Sequence, residues 1–463
     1  MIIPGAFLPP SVNADEVARL DFGEIVVETA ILTPGQLEKA IEAITEARDR
    51  YLAHRPIHTI LSSLDQVIAL WLDPTSPLRR VAEEALPAAT HLSSEMITHG
   101  LPAILEGYRK DHLLQVLEEE LGDPLFLDTF RPRKFGRSRA YGPRLTTHIL
   151  SGNIPALAAP SVIFALLVKS AVLVKSSSDE PIFPPLFARS IAEVDPELGR
   201  CLAVAWWKGG EETLEAIAFS RSDVVIAYGS GQAITSIKGR VQGRFIGYGH
   251  RLSFGVIGRE ALSDLEEIAR RAAYDTSMFD QQGCLSPHLF YVEEGGAATP
   301  KGFARALAHA MDELHKALPR GRLSPEEASV IHQLRGAYEF REIAGEDVAV
   351  YAGEGMSWTV IYEKDPTFLP SCLNRTVRVK PVGDLGQVVQ LVAPYAPYLS
   401  AVGIAAPPNR LLPLVDALGR LGVNRICPVG KMQHPPAGWH HDGRFQILDL
   451  IRWVDLEEDR GSA

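Results

Sequence analysis

Cysteine is scarce in this sequence, and the few cysteines it has are far apart. Cys201, Cys284, Cys372 and Cys427 are the only ones among 463 residues, and no two of them form a CxxC pair. This pattern excludes the disulfide framework of a small secreted domain and is typical of a reducing compartment. The N-terminus also lacks the basic start and sustained apolar run of a signal peptide, so we expect a cytoplasmic protein.

Positive charge and long apolar runs are scarce as well. The 46 basic residues are outnumbered by 57 acidic ones, giving a net charge of −11. This excludes a nucleic-acid partner, because phosphate backbones require a basic face. A basic run at residues 131–139 is typical of a solvated loop, with a site for a cofactor or coenzyme phosphate as the alternative. Residues 154–174 are strongly apolar, but Pro155, Pro160 and Lys169 interrupt them. A spanning helix needs about 20 largely uninterrupted apolar residues, so we expect no membrane span.

The pattern along the chain changes near residue 145. Before it, residues 1–140 have mostly helical spacing, with a helix after the N-cap Thr33 and further helices over Ile57–Leu72, Leu78–Leu86 and His112–Leu121. After it, short apolar strands alternate with helices, and a second block of this kind begins at Phe254. Repeated βαβ units predict parallel sheets that bind ligands at the carboxyl ends of their strands. We therefore expect two α/β domains with the active site in the cleft between them.

Cys284 is the strongest candidate for a nucleophile. It follows a turn and directly precedes an apolar strand, Leu289–Val292, and hydrogen-bond donors in such a turn can stabilise a thiolate. A lone cysteine is more often a small core residue, and Cys201 and Cys427 fit that interpretation. Cys372 lies in a predicted loop and is the rival nucleophile.

Three further segments place polar groups at predicted strand ends. Asn153 follows a strand and precedes a proline-started helix, so its amide is either an oxyanion donor or a helix cap. Lys175 ends a short strand, where it either reaches a nucleotide or is simply solvated. The turn Gly229-Ser230-Gly231 opens a helix whose backbone N–H groups could hold a pyrophosphate, although so short a motif is weak evidence.

The histidines near the C-terminus do not form a metal-binding pattern. The spacing of His434, His440, His441 and Asp442 matches no standard ligand set, and the segment is rich in proline and glycine. We interpret it as a turn with surface histidines and predict no metal site.

Taken together, these segments resemble the aldehyde dehydrogenase superfamily. The resemblance is carried, in order, by His148–Pro155 with Asn153, Ala171–Ser178 with Lys175, Ile226–Ser230, and Gln282–Cys284. Within that superfamily the sequence is similar to the LuxC-like acyl-CoA reductase family. The similar pieces are Ser151–Pro155, Tyr248–Ile257, Phe279–His288, Asn374–Val377 and Asp442–Trp453.

The resemblance implies an α/β, aldehyde dehydrogenase-like fold with two Rossmann-type domains and an interdomain active-site cleft. We expect a helical N-terminal region plus cofactor-binding domain over residues 1–250 and a catalytic domain over residues 251–425. Residues 426–463 would return to the cofactor domain or to an oligomer interface. The resemblance also implies a homo-oligomer and an acyl-activating partner protein.

The departures from hydrolytic aldehyde dehydrogenases also carry implications. Those enzymes have a glutamate that activates water, whereas the corresponding stretch Gly247–Arg251 has no carboxylate, so reduction or acyl transfer is favoured over hydrolysis. The segment Pro366–Pro370 lacks the glutamate that normally holds the nicotinamide ribose. Ser178 stands where NAD-preferring members often carry glutamate, which favours NADPH. His250 lies near the missing carboxylate and is a candidate proton donor or phosphate ligand, or a structural histidine.

The implied activity is NADPH-dependent reduction of a fatty acyl-CoA or acyl-carrier thioester to the aldehyde through an acyl group on Cys284. In this scheme Asn153 and the Cys284 backbone N–H hold the oxyanion, while Lys175, Ser178 and Gly229-Ser230-Gly231 bind the cofactor. Three alternatives stay open. They are a CoA-independent aldehyde dehydrogenase, an acyl-phosphate reductase, and an acyl-transfer or acyl-carrying subunit that uses Cys284 without hydride transfer.

Overall fold

Two largely parallel β-sheets form the framework of the molecule, in a computed structural model that describes residues 1–134 and 136–457. The strands in chain order are β1 (Ile2–Pro4), β2 (Glu16–Phe22), β3 (Ile25–Ile31), β4 (Arg131–Arg133), β5 (Gly136–Tyr141), β6 (Leu145–Ile149), β7 (Ala171–Lys175), β8 (Leu202–Ala205), β9 (Val224–Tyr228), β10 (Arg244–Tyr248), β11 (Leu252–Ile257), β12 (Pro287–Glu293), β13 (Val348–Ala352), β14 (Thr359–Glu363), β15 (Thr376–Val382), β16 (Leu399–Ala405), β17 (Arg425–Pro428) and β18 (Arg452–Leu456).

Helices cover both sheets and build much of the N-terminal region. In chain order they are α1 (Pro34–Ala47), α2 (Ile57–Leu72), α3 (Pro77–Thr90), α4 (Ser94–Leu105), α5 (Lys110–Leu121), α6 (Ala158–Leu167), α7 (Phe183–Val194), α8 (Pro196–Gly199), α9 (Glu212–Arg221), α10 (Gly231–Lys238), α11 (Leu265–Ser277), α12 (Pro300–Ala317), α13 (Pro325–Ile343), α14 (Gly386–Val392) and α15 (Pro408–Arg420).

The first large sheet has five parallel strands in the order β10-β9-β6-β7-β8. Its central strands are apolar because helices cover both faces, and every residue of β7 is buried. From β6 the chain adds β7 and β8 on one side of the sheet, and then returns to add β9 and β10 on the other side. The direction in which strands are added therefore reverses beside β6. Ligands bind parallel sheets at such a reversal, outside the carboxyl ends of the strands. The predicted α/β alternation after residue 145 is thereby confirmed.

The second large sheet has seven strands in the order β13-β14-β15-β12-β11-β16-β17. Strand β13 pairs antiparallel with β14, and the other pairs are parallel. Only residues 249–251 separate β10 of the first sheet from β11 of the second. This short connection brings the carboxyl end of one sheet close to the other, as expected for a cleft between two α/β units. The division at residues 250 and 425 into separate domains stays a prediction.

The N-terminal region is mostly helical, as predicted, but it begins with strands that the prediction missed. Helix α1 begins at a capping box formed by Thr33 and Gln36, and α2 has the predicted bounds Ile57–Leu72. Before them, β1, β3 and β2 form a three-stranded sheet. The alternating exposure of Glu16–Phe22 is a two-residue period typical of a strand.

Helix α6 begins later than predicted. The expected start was Pro155, but Ala156 has a left-handed backbone with φ of 65°, and the helix starts at Ala158. The preceding turn directs Asn153 and Ile154 toward the space between the sheets.

Among the described residues, no helix is long and apolar enough to cross a membrane.

The basic run at residues 131–139 contributes to a third, smaller sheet. Strand β5 pairs antiparallel with β4 and with β18 near the C-terminus. The Arg133 guanidinium lies over the rings of Phe126 and Trp453, at 4.2 and 4.8 Å from their centroids. Described residues of this run lie outside the cavity between the two large sheets, which leaves the phosphate-site alternative unsupported.

Candidate active site

A cavity of about 900 Å³ opens between the two large sheets. Its walls come from the loops after β6, β7, β9 and β10, from the turn before β12, and from the C-terminal segment. The polar lining residues that bear on function are Ser151, Asn153, Ser178, Asp179, Gly229, Ser230, His250, Arg251, Gln282, Cys284, His288, Asn374 and His441. The cavity therefore lies where the parallel topology predicts a ligand site.

Cys284 lies at the end of a tightly fixed turn. Phe279, Asp280 and Gln281 all adopt left-handed backbone conformations, with φ of 49°, 51° and 65°. Such conformations cost free energy in residues other than glycine and persist only where neighbouring contacts enforce them. The Ser253 hydroxyl donates to the Cys284 carbonyl oxygen at 2.7 Å, which fixes the backbone of the cysteine itself.

A second left-handed segment supports the first. Arg375, with φ of 57°, donates from Nε to the Asp280 carboxylate at 2.7 Å. Both side chains are almost fully buried. The Gln281 amide donates to the Pro287 carbonyl at 2.7 Å and accepts from the Thr376 N–H at 2.9 Å. The shape of the cysteine turn is therefore set by residues about ninety positions away in the sequence.

The Cys284 thiol is accessible within the cavity, and its environment disfavours the thiolate. Desolvation by the cavity walls, with the nearby Asp442 carboxylate, raises the pKa of Cys284 to about 11. At neutral pH the sulfur is therefore a thiol that must lose its proton before it acts as a nucleophile. Burial raises the pKa of Cys201 to about 12. Among the described residues, Cys284 is the cysteine that lines the cavity, and the rival Cys372 lies outside its lining.

Asn153 lies beside the cysteine turn, with its amide oriented by its neighbours. The Ser151 hydroxyl donates to Asn153 Oδ1 at 2.8 Å, and Asn153 Nδ2 donates to the Gln282 carbonyl at 3.0 Å. An amide nitrogen has two protons, so the second one is available to the cavity. At Gly152 this loop packs closely against the loop after β7. A Cβ atom on residue 152 would lie only 2.6 Å from Asp179 Cβ.

The predicted cofactor-binding residues cluster at the carboxyl edge of the five-stranded sheet. Ser178, Gly229 and Ser230 line the cavity, whereas Lys175 and Gly231 fall outside its described lining. Lys175 is the last residue of β7 and is buried. Desolvation lowers the pKa of Lys175, opposed by the carboxylates of Glu215 and Asp179. The Trp206 indole donates to the Ser178 hydroxyl at 3.1 Å.

The turn after β9 leads into a helix with an open N-terminus. The Ser230 side chain caps α10 by accepting from the Ala233 N–H at 3.2 Å. A Cβ placed on Gly231 would meet nothing within 4 Å. This open space beside backbone N–H groups suits an anionic group such as a pyrophosphate.

Two histidines face each other on the cavity wall. His250, predicted near this site, has its ring centroid 6.5 Å from that of His288. Burial, followed by the neighbouring His250, lowers the pKa of His288 to about 4. His288 Nδ1 accepts from the Ser371 N–H at 3.0 Å, so its other ring nitrogen carries the proton at neutral pH. No role was predicted for His288 from the sequence.

The interpretation of the C-terminal histidines as a surface turn is wrong in part. His440 is exposed, but His434 is half-buried and shares a 2.7 Å hydrogen bond with the Tyr274 hydroxyl. His441 lines the cavity, and burial lowers its pKa to about 4. The segment turns inward because Arg251 binds the Asp442 carboxylate at 2.7 Å. Among the described residues, no group of three or more potential ligands could hold a metal ion.

Comparison with solved structures identifies the fold. Aldehyde dehydrogenase 21 from Physcomitrella patens superposes with a TM-score of 0.75 over 100% of both chains, at 14% identity. An NADP-dependent glyceraldehyde-3-phosphate dehydrogenase from Bacillus halodurans, solved with NADP, superposes with a TM-score of 0.73 over 96% of both chains, at 13% identity. The fold is that of the aldehyde dehydrogenases, as predicted.

The family follows from the sequence itself. The family model described as acyl-CoA reductase (LuxC) matches residues 52–453. A long-chain acyl-protein thioester reductase of Aliivibrio fischeri is 27% identical over 75% of this chain and 71% of its own. One from Photorhabdus luminescens is 26% identical over 96% and 90%. The chain belongs to the LuxC family of acyl-CoA reductases and is an oxidoreductase that reduces acyl thioesters to aldehydes.

Proposed function

We propose that this protein reduces a long-chain fatty acyl-CoA or acyl-carrier thioester with NADPH, through an acyl group carried on Cys284. The observation that carries the proposal is that the accessible thiol of Cys284 and the oriented amide of Asn153 open into one cavity with the turn at Gly229 and Ser230. A nucleophile, a candidate oxyanion donor and a candidate dinucleotide-binding edge thus share one cavity. The names of the relatives, which are long-chain acyl-protein thioester reductases, agree with this chemistry.

The apolar wall of the cavity suits a fatty acyl chain. Ile104 and Tyr108 from the N-terminal helices, with Leu157, Pro160 and Phe164 around α6, line this part. The rings of Tyr108 and Phe164 meet edge to face at 6.1 Å. Burial of each methylene contributes about 0.8 kcal/mol, so such a wall would favour long chains over short ones. This also gives the N-terminal region a role that its sequence did not reveal.

The first chemical step is acyl transfer to the protein. Once deprotonated, Cys284 Sγ attacks the thioester carbonyl, and the free proton of Asn153 Nδ2 and the Cys284 backbone N–H stabilise the oxyanion. The carbon–sulfur bond to the carrier then breaks, and the carrier thiolate takes up a proton. The product is a thioester on Cys284. His250 is the candidate proton carrier, because its ring lines the same cavity.

The residues at the sheet edge fit a nicotinamide cofactor. Lys175, Ser178 and the turn Gly229-Ser230-Gly231 would hold it, with the open space at Gly231 next to the N-terminus of α10. When bound, the cofactor supplies the hydride that reduces the acyl carbon. The protein's part is to hold the acyl group on Cys284 and keep its oxygen directed at Asn153.

NADPH is favoured over NADH by the side chain at position 178. Ser178 is exposed on the cavity wall and offers a neutral hydroxyl. A carboxylate there would repel a 2′-phosphate, whereas serine leaves room for it and can donate a hydrogen bond.

We further propose that the protein works in the cytoplasm as a homo-oligomer and receives acyl groups from an acyl-activating partner. The reduced state of the four cysteines agrees with that compartment. The partner proposal has its support in the relatives, whose names specify an acyl-protein as the substrate.

The decisive experiment follows NADPH absorbance with purified protein and myristoyl-CoA while any aldehyde is trapped. We expect the wild type to consume NADPH and form aldehyde, and Cys284→Ala to do neither. Acylation of Cys284 without NADPH consumption would refute the hydride half of the proposal and favour an acyl-carrying subunit. If neither occurs, the same assay with acyl-carrier protein and acyl phosphate identifies the donor.

A further inference from the structure

Four aromatic rings form a continuous stack along one wall of the cavity. Tyr228 stacks on Tyr248 at 4.9 Å and 20°, and Tyr248 stacks on His441 at 4.1 Å and 14°. His441 in turn stacks on Trp439 at 4.6 Å and 28°. All four residues line the cavity that holds Cys284. We call this feature the ring stack.

Both ends of the ring stack are linked to the surroundings of the cysteine. Trp439 packs against the buried cluster that contains Leu285, the residue after the nucleophile. At the other end, burial raises the pKa of Tyr228 to about 12, and the nearby Cys284 adds to this shift. The Tyr228 hydroxyl is 2.8 Å from Ser161 Oγ. The rings thus form part of the wall of the cavity into which the sulfur opens.

The segment that carries Trp439 and His441 is firmly held in place. The Asp442 carboxylate, almost fully buried, binds Arg251 in the connection between the two large sheets. The Gln446 amide donates to the Trp439 carbonyl at 2.9 Å. Glu120 of α5 accepts the N–H groups of Gln446, Ile447 and Leu448 at 2.8–3.0 Å. The stack is therefore a fixed wall built from distant parts of the chain.

Most carboxylates in and beside the cavity already bind other groups. Among the described lining residues they are Asp179, Asp280 and Glu327. Asp280 is bound by Arg375, and Glu327 accepts hydrogen bonds from Asn374 and Ser324. Asp179 belongs to the loop after β7, on the cofactor side. Beside the ring stack, Asp442 binds Arg251 through Oδ2, whereas its Oδ1 is shut off from solvent and has no hydrogen-bond partner.

We propose that the ring stack keeps water from the acyl group on Cys284 and so commits that group to reduction or transfer instead of hydrolysis. This inference rests on the function proposed above. Hydrolysis would require a water oxygen to bond to the acyl carbon while the carbon–sulfur bond breaks, releasing a fatty acid and the Cys284 thiol. The stacked rings would block the approach of such a water from their side of the cavity and offer it no hydrogen-bond acceptor of carboxylate strength.

The test measures how fast the acyl-enzyme hydrolyses when no cofactor is present. The full-length protein is acylated with myristoyl-CoA, excess thioester is removed, and intact mass spectrometry follows the acyl group on Cys284 while released fatty acid is quantified. Rates are expressed per acylated protein, so a slower acylation step does not affect them. The variants are Trp439→Ala, His441→Ala and His441→Phe, and the matched control is His440→Ala, whose exposed side chain is adjacent in sequence but outside the cavity lining.

We expect Trp439→Ala and His441→Ala to lose the acyl group to water at least about tenfold faster than the wild type, equivalent to 1.4 kcal/mol in the barrier. His441→Phe and His440→Ala should hydrolyse at the wild-type rate, since one retains a ring and the other leaves the stack intact. Alanine variants that stay within about twofold of the wild type would overturn the inference. So would a fast His441→Phe, because the imidazole rather than the ring would then matter. A wild type that never acylates on Cys284 would instead refute the proposed function itself.

Discussion

The Asn153 amide gives the sharpest test of the proposed chemistry, because we propose different roles for its two protons. One is donated to the Gln282 carbonyl at 3.0 Å, and the Ser151 hydroxyl fixes the other end of the amide at 2.8 Å. The second proton is then free for an oxyanion. Removal of one such preorganised donor typically lowers kcat by about 10²–10³, or roughly 2.7–4 kcal/mol. We therefore expect Asn153→Ala to lose about two to three orders of magnitude in acylation rate.

Two further variants separate donation from orientation. Asn153→Asp keeps the shape but replaces the donor by a negative charge facing the developing oxyanion, so it should be slower than Asn153→Ala. Ser151→Ala keeps the donor and removes only its positioning hydrogen bond, worth about 1 kcal/mol, so it should lose roughly fivefold. The expected order of activity is wild type, Ser151→Ala, Asn153→Ala and Asn153→Asp.

The assay is single-turnover acylation of Cys284 by myristoyl-CoA, followed as release of CoA thiol. Thermal unfolding of each variant checks the fold, and Asn153 is accessible in the cavity, so its substitution should change the melting temperature little. Asn153→Ala within about threefold of the wild type would refute the oxyanion role, since that change is well under 1 kcal/mol. If Asn153→Asp acylates Cys284 faster than Asn153→Ala does, a negative charge at this position does not slow the reaction. That result would also refute the oxyanion role.

Three other predictions test separate parts of the structure. Because the pKa of Cys284 is raised to about 11, its alkylation by iodoacetamide should rise about tenfold per pH unit from pH 7 to 10, and a plateau near pH 7 would contradict this. Ser178→Glu should raise the KM for NADPH about tenfold through charge repulsion while sparing NADH, and equal changes for both cofactors would exclude that explanation. Arg375→Ala leaves the buried Asp280 carboxylate unpaired and should cost about 3–5 kcal/mol in urea unfolding; a loss below about 1 kcal/mol would show that the pair is dispensable.

The parts of the fold with a regular period were predictable from the sequence. The buried strand β7 and the helix α2 lie where their apolar spacing predicts them. The cap at Thr33 was predictable because it is formed by residues close to it in the sequence. The early strands were missed because Glu16–Phe22 is only half-buried, and its alternating pattern is carried by mixed residue types. Helix α6 begins later than predicted because Ala156 has a left-handed backbone. The conformational preference of alanine does not indicate such a backbone.

The residues of the candidate site were predictable only where a single segment of the sequence contains a recognisable motif. Cys284 and Asn153 were found as pieces of local motifs, and the structure brings both to one cavity. His288 and His441 were not found, since their role depends on which surface their strand or turn faces. Lys175 lies at the predicted strand end, yet its burial among Glu215 and Asp179 depends on loops that a single sequence does not relate to one another.

The ring stack shows why such a wall escapes analysis of the sequence. Tyr228 and Tyr248 end neighbouring strands of the first sheet, but His441 and Trp439 follow the second sheet by chain order. Their contact depends on the pair Arg251–Asp442, whose members are separated by 191 positions. Breaking such a pair is costly, because the buried Asp442 carboxylate would be left without its cationic partner. We infer that Arg251 serves the chemistry indirectly, by fixing the C-terminal segment so that two of its rings complete the wall beside Cys284.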